Sequence, residues 1–474
     1  MSKLKDILLI IFEELEDDQR SLFSCLLVNR LWCETAVLIL WENPWRYHLG
    51  FYQERFLYNT ILLFLSNETK ELLKVQGIDI PSSSRNPPLF DYLSYCRHLN
   101  VIKINSIIHL PDYKKLIVEQ EVYKLLLRKC SPLKSMDIRY IKHQLDCFHG
   151  AESCLSGLSE LKCTTYDQPL FYDSLAQHCQ YIEKLIIEQC RKDNYGLAKL
   201  IQVQKNLKYV EFNGNLFVGG GEYNPFGDIG QALIKNSNSL IHFKAFFSGN
   251  ISFPPTILPN LYNLQKLQFF IPRLDKQYED QLKISTYSHL RILHIENISS
   301  DTVVEIIEKT NGHLKKILIE NYNYCNDSKR LIRSIYKNCP NIENLSIIIH
   351  NHNFMEFKKL LKTCQNLKEL YIRILNNDKD EEKSEEEKFE DGGILSEILI
   401  DSAATCLNYI KFLNYWKISS KDFEKFLENW KGRPPLTLID ANYDDFFDSE
   451  ILEKYKSEGV INRFNVESSY YFLD

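Results

Sequence analysis

The sequence predicts an α/β protein in two parts: a short all-α unit of three helices, then a curved solenoid of alternating strands and helices. Three observations carry this. A short apolar pattern, Cys-x-x-Leu/Ile-x-x-Leu-x-Ile, returns along most of the chain. The segments between its copies have helical spacing of apolar residues. Residues 3–45 lie outside the pattern and are apolar on too many sides for a solvated linker.

The pattern is plainest in "CPNIENLSII" (339–348) and "CQNLKELYIRI" (364–374). It recurs as "CRHLNVIKI", "CSPLKSMDI" and "CQYIEKLII". Without the cysteine it recurs as "QKNLKYVEF", "SNSLIHFKAF", "LYNLQKLQF", "YSHLRILHI" and "NGHLKKILI", and in weaker form as "CLNYIKFLN". The first apolar positions are Leu99, Leu133, Leu158, Ile182, Leu207, Leu240, Leu264, Leu290, Leu314, Ile342, Leu367 and Tyr409. Their separations are 34, 25, 24, 25, 33, 24, 26, 24, 28, 25 and 42. Most fall within the period of about 20–29 residues whose strand reads L-x-x-L-x-L, so residues 96–437 read as degenerate leucine-rich repeats.

Between the strands, "DSKRLIRSIYKNC" puts Leu331, Ile332 and Ile335 on one helical face, with Asp327 as the expected N-cap. "NFMEFKKLLKTC" and "SKDFEKFLENW" repeat the arrangement. Neither a lone strand nor a lone helix hides its apolar side, so the units must stack around a shared core. Cys96, Cys130, Cys179, Cys339, Cys364 and Cys406 each stand three residues before the first apolar position, where the chain turns inward. A thiol there packs as a small hydrophobe; with no C-x-x-C pair, metal ligation has no support. Trp416 and Trp430 read as core. Residues 213–230 form a Gly-rich surface loop without the Lys-Ser/Thr ending of a phosphate loop. An acidic insertion at 378–391 reads as solvated and disordered.

In residues 3–45, Ile7, Leu8, Ile11, Phe12 and Leu15 give the first helix a broad apolar face. "EDDQ" breaks it. Leu22, Cys25, Leu26, Leu31 and Trp32 form the second helix. Ala36, Val37, Leu40 and Trp41 form the third, ended by Pro44. So short a segment cannot bury this surface alone, and no Cys or His pattern staples it; a protein partner must cover it, or the solenoid it caps.

Here a resemblance enters. "DILLIIFEEL" (6–15), "VNRLW" (28–32) and Leu40-Trp41 resemble the F-box pattern Leu-Pro-x-Glu-Ile-Leu-x-x-Ile-Phe-x-x-Leu, Val-Cys-Lys/Arg-x-Trp, Leu-Trp. Lys3-Leu4 replaces the Leu-Pro opening and Asn29 replaces the cysteine. With the repeats behind it, the chain is similar to the F-box/leucine-rich-repeat families of fungi and other eukaryotes. The resulting organisation is an F-box at 1–46, a helical linker or solenoid cap at 47–95, repeats at 96–437 and a C-terminal cap at 438–474.

The resemblance implies a substrate-recognition subunit of an SCF-type, cullin-RING ubiquitin ligase. The F-box would bind a Skp1-like adaptor, and through it a cullin, and the repeats would hold a protein substrate. The residues nominated for the adaptor are Ile7, Leu8, Ile11, Phe12, Leu26, Val28 and Trp32. Strand alternation nominates substrate-facing positions: Lys184, Ile186 and Glu188; His242, Lys244 and Phe246; Ile292, His294 and Glu296; Lys316, Leu318 and Glu320; Glu369, Tyr371 and Arg373. The alternative is a leucine-rich-repeat scaffold that binds proteins without recruiting a ligase.

Composition narrows the classes. Apolar residues at 44% and charged residues at 25% are ordinary for a globular chain. A net charge of −6 gives no basic field for nucleic acid or for a membrane surface. No apolar run reaches the length of a spanning helix, and Ile7–Phe12 is too short for a secretory signal. The 13 cysteines are then expected as free thiols in the cytoplasm or nucleus. No catalytic or metal-binding motif occurs; "HNH" at 350–352 merely follows a strand. No enzyme activity and no cofactor are expected.

Overall fold

The structure, a computed structural model, describes residues 2–80, 88–130, 132–145, 148–190, 192–214, 227–247, 255–270, 276–320, 328–375, 385–413, 417–440 and 449–466. The chain divides into two compact units: residues 1–214 with 220–239, and 215–219 with 240–474.

The first unit opens with α1 (Ser2–Glu13), α2 (Gln19–Cys25) and α3 (Arg30–Glu42), followed by α4 (Phe51–Leu63) and α5 (Asn67–Val75). Its strands are β1 (His98–Asn100), β2 (Ser135–Asp137), β3 (Glu160–Thr164), β4 (Lys184–Glu188) and β5 (Tyr209–Gly214). The second unit carries β6 (His242–Phe247), β7 (Lys266–Phe270), β8 (Ile292–Glu296), β9 (Lys316–Glu320) and β10 (Asn344–His350). It continues with β11 (Glu369–Leu375), β12 (Tyr409–Phe412), β13 (Leu436–Asp440) and β14 (Ile461–Val466).

Within each unit every strand pairs parallel with its neighbour in sequence. Leu161 lies opposite Leu185 and Leu185 opposite Val210; Leu293 lies opposite Ile317. Parallel neighbours require a crossover, and helices supply most of them. Most strands enter the ladder in one way: Lys184 N–H donates to Ser159 O, Lys266 N–H to Ile241 O and Lys316 N–H to Arg291 O.

The leucine pattern becomes the core. Leu133, Leu158, Ile182, Leu207, Leu240, Leu264, Leu290, Leu314, Ile342 and Leu367 are all buried, each two residues ahead of its strand. Five of the six recurrent cysteines close the helices before them, and Cys406 stands beyond the helix that ends at Ser402. The N–H of Cys179 donates to Leu175 O at 2.8 Å and that of Cys364 to Leu360 O at 2.8 Å. Burial pushes both thiols up to about 12, so they stay protonated and pack as hydrophobes. Gln204 takes the same place ahead of Leu207 and solves it differently: its Nε2 donates to Cys179 O and Leu200 O, and its Oε1 accepts from Ile182 N–H.

The expectation of a curved leucine-rich-repeat solenoid is corrected by this arrangement. Within each unit the strands follow sequence order in open parallel sheet, neither closed nor strongly curled, with helices alternating between them. Two features explain the difference. Even curvature needs the same small rotation at each repeat, and the connecting elements here are unequal. Two helices, Val101–Ile107 and Asp112–Lys129, separate β1 from β2; among the described residues the 3-10 helix Pro255–Asn260 is the one element between β6 and β7; the 18-residue helix Glu385–Ser402 separates β11 from β12. The strand face of the second unit is also not simply solvated. Gln268, His294, Leu318, Ser346, Ile348 and Lys411 are buried there.

Two copies of the repeat sit in another register. Leu99 lies inside β1 opposite Met136, because Asn100 caps the helix that follows: its Oδ1 accepts from Lys103 N–H at 2.9 Å. At the other end Leu407, not Tyr409, is the fully buried anchor. Asp327, Trp416 and residues 215–226 lie outside the described residues, as does the acidic insertion up to 384; its remainder opens the helix Glu385–Ser402. Beyond the last copy the alternation continues through β13, the helix Ser449–Ser457 and β14.

Candidate functional site

The three N-terminal helices have a core of their own. Leu8, Phe12, Leu22, Cys25, Ala36, Ile39 and Leu40 are buried together, with Leu26, Leu31, Trp32 and Trp41 packed against them. The Phe12 ring meets Trp32 edge-on, with centroids 5.3 Å apart. Burying a ring of this kind contributes about 1.5–3 kcal/mol. Both turns are capped. Asp18 accepts from Ser21 N–H at 3.1 Å and opens α2; Asn29 accepts from Trp32 N–H at 3.0 Å and opens α3. The expected second helix is therefore shorter, and Leu31 and Trp32 belong to the third. The asparagine that departs from the F-box pattern serves as the cap.

α3 fixes the bundle to the rest of its unit. Trp41 stacks on Tyr92 at 4.8 Å, Trp45 Nε1 donates to His98 O at 2.8 Å, and Arg97 N–H donates to Glu42 O at 2.9 Å. α1 keeps one side outward. Leu4, Ile7, Ile10 and Ile11 are each about half exposed or more, and so are Leu27 and Val28 in the turn after α2; Leu27 is 88% exposed. A groove of about 420 Å³ runs between α2, α3 and α4, lined by Phe23, Leu26, Val37, Trp41, Phe56 and Tyr92 among others.

The nominated adaptor residues thus separate. Ile7, Ile11 and Val28 face solvent, Leu26 and Trp32 are half-buried at the edge, and Leu8 and Phe12 point into the core. Leu4, Ile10, Phe23 and Leu27 were missed. For Leu4 and Ile10 the signal was present: α1 carries apolar residues around most of its circumference, more than one core can cover.

The nominated strand positions fall into two settings. In the first unit Lys184 Nζ lies 3.0 Å from Glu160 and over the Tyr209 ring; Glu188 pairs with Lys162 at 2.6 Å and with Arg139, which also grips Asp137 at 2.7 Å. Ile186 is half-buried among them. In the second unit His242 Nε2 lies 2.8 Å from Gln268, Lys244 lies over the Phe270 ring, and Phe246 is 45% exposed beside Phe270. His294 is buried edge-on to Phe270 at 4.5 Å. Ile292, Glu296, Lys316, Glu369 and Arg373 are half-buried. Leu318 and Tyr371 are buried in a cluster with Leu413. Glu320 ends β9 opposite Glu296; its side chain lies outside the described residues. Arg139 and Phe270 were missed. Phe270 sits at the same outward position of β7 that named Phe246 on β6, so the alternation rule itself would have found it.

Among the described residues no group of three or more His, Cys, Asp or Glu side chains is placed to hold a metal ion, and no helix is long and apolar enough to cross a membrane. Fold and site together define a strand–helix repeat protein with a terminal three-helix unit whose apolar face is uncovered. No family model and no curated protein matches the chain. One solved structure to which it is similar is described as "Crystal structure of Rad7 and Elc1 complex in yeast": 13% identity, 88% of this chain and 89% of that chain covered, TM-score 0.44. A likeness of that grade carries no argument about function.

Proposed function

We propose that the chain is the substrate-recognition subunit of an SCF-type, cullin-RING ubiquitin ligase. In this reading α1–α3 bind a Skp1-like adaptor, and through it a cullin, and the repeats hold a protein substrate. One observation carries it. A helical unit with a complete core of its own still exposes Leu4, Ile7, Ile10 and Ile11 along one side of α1, and Leu27 and Val28 in the turn after α2. Monomeric proteins rarely leave contiguous apolar surface without a partner for it. The choice of partner rests on the F-box-like residues Asp6–Leu15, Val28–Trp32 and Leu40-Trp41.

The receptor performs no bond chemistry in this reading. It positions substrate, raising its effective concentration near a thioester held elsewhere in the assembly. Substrate contact is assigned to strand-face side chains. In the first unit these are Lys184 and Glu188; in the second, His242, Phe246, Glu296, Lys316 and Arg373 offer accessible surface. The buried His294 and Tyr371 support their neighbours.

Purification of the full tagged chain tests the reading. Wild type should bring down adaptor and cullin in equal amounts, and Ile7→Asp/Ile11→Asp should bring down neither while folding normally. Adaptor recovered equally with both chains would reduce the protein to a scaffold that recruits no ligase.

A further inference from the structure

One cavity lies apart from the helical face and from every strand. It holds about 340 Å³, within the range of about 300–1,000 Å³ usual for ligand sites. Three elements of the first unit line it. The start of α5 gives Ser66 and Thr69, the helix Asp112–Lys129 gives Glu121, Lys124 and Arg128, and the loop before Gly150 gives Phe148 and His149.

The polar groups there are of one kind. Lys124 and Arg128 stand one helical turn apart on the same face. Arg128 and His149 are exposed and have no hydrogen-bond or ion-pair partner among the described residues. The hydroxyls of Ser66 and Thr69 lie 3.0 Å apart on the facing wall. Glu121 is the one carboxylate in the lining, and its Oε1 lies 2.7 Å from Lys124 Nζ. Lys124 also sits 5.8 Å from the Phe148 ring centroid. In a chain of net charge −6, a concave site with a guanidinium, an ammonium, an imidazole and two hydroxyls selects an anion. A guanidinium fork matches phosphate geometry bidentately.

We propose that this cavity binds a dianionic phosphate monoester. Arg128 grips two phosphate oxygens and Lys124 turns from Glu121 to a third. Of the Ser66 and Thr69 hydroxyls, which are bonded to each other, the one whose proton is free donates from the opposite wall, and the ester carbon leaves through the open side. A phosphorylated serine or threonine side chain and a free sugar phosphate share this chemistry. The site shares no residue with α1–α3, so it stands or falls independently of the adaptor reading.

The test titrates the full chain by calorimetry with three probes: inorganic phosphate, glucose 6-phosphate, and a short peptide carrying phosphoserine beside its unphosphorylated twin. Arg128→Glu should weaken a bound monoester at least tenfold with an unchanged melting temperature, since Arg128 is exposed and unpaired. Glu121→Gln should tighten it several-fold by removing the competing carboxylate. The two opposite shifts distinguish the site from a general loss of structure. Preference for the phosphopeptide over its twin assigns a protein-borne ester, and preference for the sugar phosphate assigns a free one. Binding of inorganic phosphate alone, equal binding of both peptides with no response to the sugar phosphate, or binding unchanged in Arg128→Glu would overturn the proposal.

Discussion

Helix Ser328–Asn338 and α1 show two uses of apolar residues. In the first, Leu331, Ile332 and Ile335 are fully buried, while Lys329, Arg330, Arg333 and Lys337 face out. Its apolar stripe is as wide as the core it meets. In α1, Leu8 and Phe12 are buried as well, yet Leu4, Ile7, Ile10 and Ile11 remain exposed. A one-sided helix is accounted for by its own fold. One that is apolar on two sides, with a core already complete, leaves a face that its own unit does not use, and the proposed reading gives that face to an adaptor.

Substitutions on each side sharpen the contrast. The largest expected effect is Phe12→Ala. It removes the ring that Trp32 packs against and costs about 3–5 kcal/mol of stability, read as a lowered unfolding midpoint; loss of adaptor binding would follow from unfolding and prove nothing about contact. Ile335→Ala should cost about 2–5 kcal/mol in the same assay, although no partner touches it in this account. Ile7→Asp should behave oppositely: stability stays within about 0.5 kcal/mol, and affinity for the adaptor falls by about 2 kcal/mol or more. Asn29→Ala removes the cap of α3 and should cost about 1 kcal/mol.

The smallest effect belongs to a buried carboxylate, Glu356, that pairs with the neighbouring repeat helix. Arg333, and secondarily Lys359, hold the Glu356 carboxyl down from 4.5 to about 2. A depressed carboxyl adds stability above its unfolded value and loses it as pH falls through the folded one. The melting-temperature difference between wild type and Glu356→Gln should therefore persist at neutral pH and vanish between about 4.5 and about 2. A difference that grew on acidification would reverse the sign.

Much of this was written in the residues, and the failures have physical causes. The leucine spacing placed ten strands because each anchor stands two residues ahead of its strand and has nowhere to go but the core. It failed at Leu99, where Asn100 diverts the chain into a helix, and at Tyr409, where the longest gap left the register to Leu407. The spacing also carried no information on curvature, which depends on the unequal elements between strands. Nor could alternation reveal that Leu318 and Tyr371 would be covered; a period of two names a face, not what lies over it. In the N-terminal unit the apolar excess was legible, but its division between core and surface was not. Ile7 and Leu8 are adjacent and chemically alike, and only the position of α3 separates them.

Calorimetric titration of a purified Skp1-like adaptor into the chain, in parallel with an Ile7→Asp/Ile11→Asp variant of matched melting temperature, tests the central claim most directly. The account predicts a saturable one-to-one complex with the unaltered chain and a loss of affinity of roughly thirty-fold or more with the variant. Equal affinity in the two titrations would contradict it.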